Sequence, residues 1–250
     1  MTLSVEMDRC YRQSTRLQQE MIEARYRSAS DFVLRRTPVD HWLDIGPNLG
    51  FGLSGLVGIR PSAIIAAEVN YGYARTAKQN HRPVNIVQMD GCRLGLSDTS
   101  VTCASCFEVI EHLDEPCQRL LLGDIYRVLR PGSFFFMSTP NKPASGKRKL
   151  SPDHLREIDQ PQAEQLLLDS GFEIIETRGQ MFLQNGKLQD RLFRVLRQNH
   201  ALAWIYHNVL PLSLMKTIRD ANFTAQSATQ IRPPHEGETP RCNYFICLKP

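Results

Sequence analysis

A chain of 250 residues, 42% hydrophobic and 22% charged, can bury one large core and has the composition of an ordinary globular protein, which excludes a disordered or fibrous polymer. The formal net charge of +4 is spread over a few clusters (Arg9 to Arg27, Lys142 to Lys149, Arg191 to Arg197), too modest for a dedicated nucleic-acid binder. No secretory signal opens the sequence, no apolar run nears the roughly 18 residues of a membrane span, and seven scattered cysteines argue against a disulfide framework, so a cytoplasmic location is expected.

Residues 4–36 have few breakers and many Arg, Gln, Glu and Met. They read as helix, ended at Thr37-Pro38 because the residue before proline is pushed out of helical conformation. Strands and helices then alternate. Strands are expected at 41–45, 63–67, 84–89, 101–107, 133–138 and 172–177, and helices at 71–79, 117–129 and 161–169. Arg130-Pro131-Gly132 stops the second of these helices and Gly171 the third. Cys103 and Cys106 form a CxxC inside an expected strand, where an offset of three sends side chains to opposite faces, so zinc is not expected. After Arg178 the rhythm breaks into two apolar helical patches, 192–196 and 201–214, a loop rich in Pro, His and Glu at 231–240, and a last strand at 243–248.

Strands alternating with helices predict an α/β fold with a mostly parallel sheet covered on both faces, and ligands then bind beyond the carboxyl ends of the strands. Residues 1–37 form an N-terminal helical segment, 38–178 a Rossmann-like core, 179–241 a helical insert and 242–250 the core's final strand.

The expected strand ends carry acids. The first ends in Asp44-Ile45-Gly46, followed by Pro47, Asn48, Leu49 and Gly50; the second ends in Glu68; the third ends in Asp90-Gly91; the fourth ends in Cys106-Phe107. Glycine at such a turn allows close backbone approach. Glu68 lies where a carboxylate accepts both hydroxyls of a ribose. Asp90 is placed to accept from an adenine amino group, and Cys106 and Phe107 to pack on the base. The turns at 46–50, 68–70 and 90–91 hold no Lys or Arg, which suits a cationic, phosphate-free cofactor better than a phosphorylated one.

The segments WLDIGPNLGFG, AAEVN, VQMDG, CFEVIEHLDEP and LRPGSFFFMSTPN together resemble, in order and spacing, those of the class I S-adenosylmethionine-dependent methyltransferases (types 11 and 23) between about Trp42 and Thr177. The resemblance implies a seven-stranded Rossmann-like sheet and S-adenosyl-L-methionine as cofactor. Asp44, Gly46, Asn48, Gly50, Glu68, Asp90, Gly91, Cys106 and Phe107 would line its pocket. The family's usual second glycine is here Asn48, which tolerates left-handed backbone. A rival reading exists: Gly50-Phe-Gly52-Leu-Ser-Gly55 is a literal GxGxxG, the fingerprint of NAD-dependent enzymes, although the first fingerprint glycine should follow the strand directly, where Gly46 stands.

Glu108, Glu111 and His112 follow the fourth strand, and His154 lies beyond the fifth. In a helical turn Glu108 would share a face with both Glu111 and His112. The pattern is similar to that of ubiquinone-pathway O-methyltransferases and of small-RNA terminal 2′-O-methyltransferases. It implies either a divalent metal held by Glu108, Glu111, His112 and His154, or general-base work by His112 or His154 with Glu108 alongside. A purely structural role for Glu-His is the alternative.

The insert holds Met181, Phe182, Leu192, Phe193, Trp204, Tyr206 and Leu210 among other apolar residues. It is expected to pack on the core, to shape a greasy acceptor pocket, or to touch a membrane peripherally. The expected activity is methyl transfer to a small-molecule, lipid-linked or glycan-linked acceptor, at oxygen. The rivals are an RNA 2′-O-methyltransferase, an inactive cofactor-binding scaffold and an NAD-dependent enzyme.

Overall fold

The computed structural model describes residues 16–142, 153–184, 229–236 and 238–250. In chain order the elements are α1 (Arg16–Leu34), β1 (Trp42–Ile45), β2 (Ile64–Glu68), α2 (Tyr71–Asn80), β3 (Asn85–Gln88), β4 (Val101–Phe107), α3 (Glu115–Val128), β5 (Leu129–Pro140), α4 (Gln160–Asp169), β6 (Glu173–Gln184) and β7 (Glu238–Leu248). The seven strands form one sheet in the order β3-β2-β1-β4-β5-β7-β6. Strands β1 to β5 pair in parallel, and β7 runs antiparallel to both β5 and β6. The order reverses between β1 and β4, so the binding crevice is expected outside the carboxyl ends of those two strands.

Alternation along the strands splits the interior into two cores. On one face Ala104, Cys106, Phe135, Met137, Phe245 and Cys247 pack under Leu121, Leu122 and Ile125 of α3 and Leu166 and Leu167 of α4. On the other, Trp42, Cys103, Phe107, Phe136, Tyr244 and Ile246 pack under Tyr26, Ala29, Phe32 and Val33 of α1, which recur at helical spacing. Cys103 and Cys106 therefore face opposite ways, as the strand period requires.

Some boundaries differ from the sequence reading for local reasons. Helix α3 starts at Glu115 because the Asp114 side chain caps it, accepting from Cys117 N–H at 3.0 Å. Arg130-Pro131-Gly132 does not separate α3 from β5; the strand runs through it, with Gly132 at φ 76. The largest difference lies at β6 and β7. Residues 179–184 and 238–240, expected in a helical insert, are paired strand, with Phe182 opposite Pro240 and Gln184 opposite Glu238. The apolar patches 192–196 and 201–214, with Trp204 and Tyr206, lie outside the described residues, as do residues 4–15 of the first helix. Among the described residues no helix is long and apolar enough to cross a membrane.

Candidate active site

The turn after β1 is built on left-handed backbone at Gly46 (φ 70), Asn48 (φ 53) and Gly50 (φ 87). Gly46 donates to Ala67 O at 2.9 Å, and a Cβ there would stand 2.5 Å from Val109 Cγ2, so the β1 turn and the segment after β4 close on each other only around glycine. Asn48 holds its conformation by accepting from Leu49 N–H at 2.7 Å. Its own N–H donates to Glu68 Oε2 at 2.9 Å, while Asn70 N–H donates to Glu68 Oε1 at 2.9 Å. Glu68 is 5% exposed, and burial pushes its carboxyl above the ordinary range against the pull of these N–H groups. One backbone donor on each oxygen leaves each a further acceptor position, the arrangement a vicinal diol requires. Asp90, exposed after β3, accepts from Cys92 N–H at 2.9 Å. Gly91 lies where a Cβ would sit 3.0 Å from Leu121 and 3.1 Å from Ile45, holding that turn down on the core.

Three residues expected to line the cofactor pocket are engaged by the protein itself. Asp44 is fully buried: Tyr26 Oη donates to its Oδ2 at 3.0 Å and Ser105 Oγ to its Oδ1 at 2.5 Å, and Trp42 Nε1 donates on to Ser105 at 2.8 Å. Burial pushes its carboxyl up to about 7, and the group braces the end of β1 from beneath. Cys106 is sealed in the core under α3. Phe107 is held edge-on to Tyr26 at 4.8 Å and stacked on Tyr244 at 5.7 Å, so its faces are taken by protein rings. The rival GxGxxG also has a structural use: a Cβ on Gly52 would lie 2.0 Å from the Tyr26 ring, and one on Gly55 2.5 Å from Glu23 O. Those glycines let α1 dock and are not available to a pyrophosphate.

Across the crevice, Glu108 and Glu111 do not share a face. Glu108 takes φ 56, which turns its side chain off the face of Cys106 that strand alternation would give it. It accepts from Ser138 Oγ at 2.9 Å and Cys242 Sγ at 3.1 Å, and Arg25 of α1 stands 3.6 Å away. Glu111 lies on the other side of β5, accepting from Thr139 Oγ1 at 3.3 Å. Burial, and after it the neighbouring Glu108, pushes its carboxyl well above the ordinary range. Ligand atoms of Glu111, His112 and His154 lie within 4.8 Å of one another, and the two imidazoles meet edge to face with centroids 5.0 Å apart. Glu108 is not part of that group, which corrects the expected four-residue set. His112 Nδ1 lies 2.9 Å from Asp153 O, a carbonyl that can only accept, so in the neutral ring Nδ1 carries the proton and Nε2 the lone pair. His154 Nδ1 is likewise held at 2.7 Å by Glu157, which is buried. Glu157 was missed in the sequence, although its spacing of three from His154 was a local signal; the long-range partners Arg25, Thr139 and Cys242 carried none. A groove of about 770 Å³ runs instead along α1 beside Arg27, Arg35 and Arg178 and contains none of these residues.

Residues 43–137 match the family described as a methyltransferase domain. A Mycolicibacterium smegmatis protein described as a probable S-adenosylmethionine-dependent methyltransferase is 31% identical over 140 residues, or 55% of this chain and 53% of that one. The chain thus spans about half the length of the curated relatives it matches. A Thermotoga maritima structure described as an S-adenosylmethionine-dependent methyltransferase, possibly acting on histamine, superposes with a TM-score of 0.60 at 16% identity, over 99% of this chain and 96% of that one. The [4+2]-cyclase SpnF superposes with a TM-score of 0.56 at 17% identity, over 90% and 80%. These likenesses in structure establish the fold; a cyclase among them shows that the fold alone does not give the reaction.

Proposed function

We propose that this chain, a member of the class I S-adenosylmethionine-dependent methyltransferase superfamily, transfers a methyl group from S-adenosyl-L-methionine to a hydroxyl oxygen of a small-molecule, lipid-linked or glycan-linked acceptor. The observation that carries the reading is the pair His112 and His154, each with Nδ1 held by a fixed acceptor and Nε2 left as the basic nitrogen, across the sheet's reversal crevice from Glu68.

Glu68 fits the cofactor: its oxygens, each already holding one backbone N–H, take the ribose hydroxyls, and Asp90 takes the adenine amino group. When bound, S-adenosylmethionine supplies a sulfonium methyl that is already a strong electrophile, so the protein's work is alignment of the acceptor and removal of its proton. His112 or His154 accepts that proton at Nε2 as the hydroxyl oxygen attacks, and Glu157 stabilises a charged His154. Glu111, His112 and His154 also fit a divalent cation, because their ligand atoms converge and Glu157 and Asp153 orient the imidazoles from behind. Such a cation, when bound, would lower the pKa of the acceptor hydroxyl. Arg25 and Glu108 tie α1 to the end of β4 and shape the wall beside the acceptor.

The test is transfer of labelled methyl from S-adenosylmethionine into fractionated small-molecule and lipid extracts. Base-stable incorporation is expected, as for an ether. His112→Ala and His154→Ala are each expected to cut it by about 100-fold or more, while leaving S-adenosylhomocysteine affinity unchanged. Label entering RNA or a nitrogen atom, or retained turnover in both variants, overturns the reading.

A further inference from the structure

Asn243 of β7 is fully buried, and neither its side-chain oxygen nor its nitrogen has a hydrogen-bond partner. The other buried side-chain amides among the described residues, Gln118 and Gln180, are engaged. Gln118 donates to Ile110 O at 2.9 Å and Leu113 O at 3.2 Å, and Gln180 accepts from Arg25 at 2.8 Å and donates to Met21 O at 3.0 Å. A side chain with both polar atoms orphaned is expensive to keep and needs a reason.

Its position supplies one. Register pairs Phe245 with Met137 and Asn243 with Thr139. Phe245 and Met137 are core residues under α3 and α4. Strand alternation makes Asn243 and Thr139 the next pair outward on that same face, toward the carboxyl end of β5. Paired side chains on one face are immediate neighbours. Thr139 Oγ1 donates to Glu111 at 3.3 Å, and Glu111 converges with His112 and His154. The orphaned amide therefore stands two side chains, Thr139 and Glu111, from the histidine pair, on its side of the sheet, while Cys242 and Glu108 occupy the other.

We infer that Asn243 is a specificity-determining residue of the acceptor site, taking a second polar group of the acceptor that carries one hydrogen-bond donor and one acceptor side by side. This rests on the proposed placement of the acceptor at His112 and His154. A carboxamide edge, or a hydroxyl next to a carbonyl, matches the amide in both directions. A simple alcohol satisfies only half of it and leaves a buried atom unpaired, which a site built for hydrogen bonding rejects strongly.

The test uses the full chain. In the ligand-free protein, Asn243→Leu removes the orphaned groups while keeping the number and branching of heavy atoms, so its Tm is expected to exceed the wild type's by several degrees; Asn243→Asp, which buries a carboxyl in the same place, is expected to fall below it. A Tm for Asn243→Leu below wild type overturns the inference, because a merely structural amide would behave that way. In the ¹⁵N-labelled S-adenosylhomocysteine complex, acetamide is then titrated as the probe. A saturable shift of the Asn243 side-chain amide, assigned by its loss in Asn243→Leu, together with shifts of the His112 and His154 ring protons, is expected. Acetone, which only accepts, is expected to shift it at least fivefold less. Histidine shifts without an Asn243 shift overturn this inference and leave the acceptor site standing. An Asn243 shift without histidine shifts supports the amide's recognition role and overturns the acceptor placement instead.

Discussion

Glu68 is held by two backbone N–H groups, one from the turn after β1 and one from its own turn, so a single carboxylate fixes the shape of the crevice and remains able to bind hydroxyls. A glutamine cannot do this. Its NH2 faces one of the two N–H donors, and one of the two ribose hydroxyls loses its acceptor. Hydrogen bonds to charged groups are worth about 1.5–3 kcal/mol, so Glu68→Gln is expected to weaken S-adenosylhomocysteine binding by about 10- to 100-fold by calorimetry. A change within threefold would remove Glu68 from the cofactor site. The residue type and place of Glu68 were legible from the strand-end pattern, as was the left-handed turn at Asn48. The inward turn of Asp44 was not. Strand period says that a side chain leaves the sheet on one face, but not that Tyr26, eighteen residues earlier in the chain, reaches over to cap it. Asn243 was invisible for the same reason: an Asn in a strand shows its cost only once its neighbours on the sheet are known.

At the level of elements, α1 is the piece most dependent on glycine. Its Tyr26 ring lies where a Cβ on Gly52 would be, and from the same helix Arg25 reaches both Gln180 of β6 and Glu108 at the end of β4. Docking of α1 and the wall of the proposed acceptor site are therefore one event. Gly52→Ala is expected to cost about 1–3 kcal/mol in urea unfolding, the usual range for overpacking, and to expose α1 to limited proteolysis before the sheet. Unchanged stability would mean that α1 can dock without this contact. The core elements were readable because the buried strands are short apolar runs and the helices between them keep helical periodicity, whereas the caps at Asp114 and Asp159 set starts that periodicity did not mark. The outer ends of β6 and β7 were not. Their residues pair through backbone hydrogen bonds that need no apolar alternation, so a segment containing Gln180, Thr239 and Arg241 gave no strand signal.

Across the whole molecule, two small sets of the described acids have opposite pH behaviour. Hydrogen bonding from Arg178 lowers Glu176, and hydrogen bonding from Arg232 draws Glu238 down to about 2. Their contribution is present above the ordinary carboxyl range and is lost as pH falls below it. Asp44 and Glu68 are shifted upward by burial, Asp44 to about 7 from an ordinary 3.8. The folded chain keeps protons on these groups that the unfolded chain releases, so their contribution is full below the ordinary range and drains away as pH rises toward 7. Raising Asp44 this far is worth on the order of 4 kcal/mol, enough to tilt the balance for a protein of ordinary stability. The ligand-free chain is therefore expected to be more stable to guanidinium at pH 5 than at pH 8. Asp44→Asn keeps the shape, takes away the titration, and is expected to flatten most of that slope, with its largest advantage over the wild type at pH 8. A wild-type stability that rises between pH 5 and pH 8, or an equal slope in the variant, would mean that Asp44 is ionised in its buried place and that Tyr26 and Ser105 stabilise a charge there instead of bracing a neutral acid.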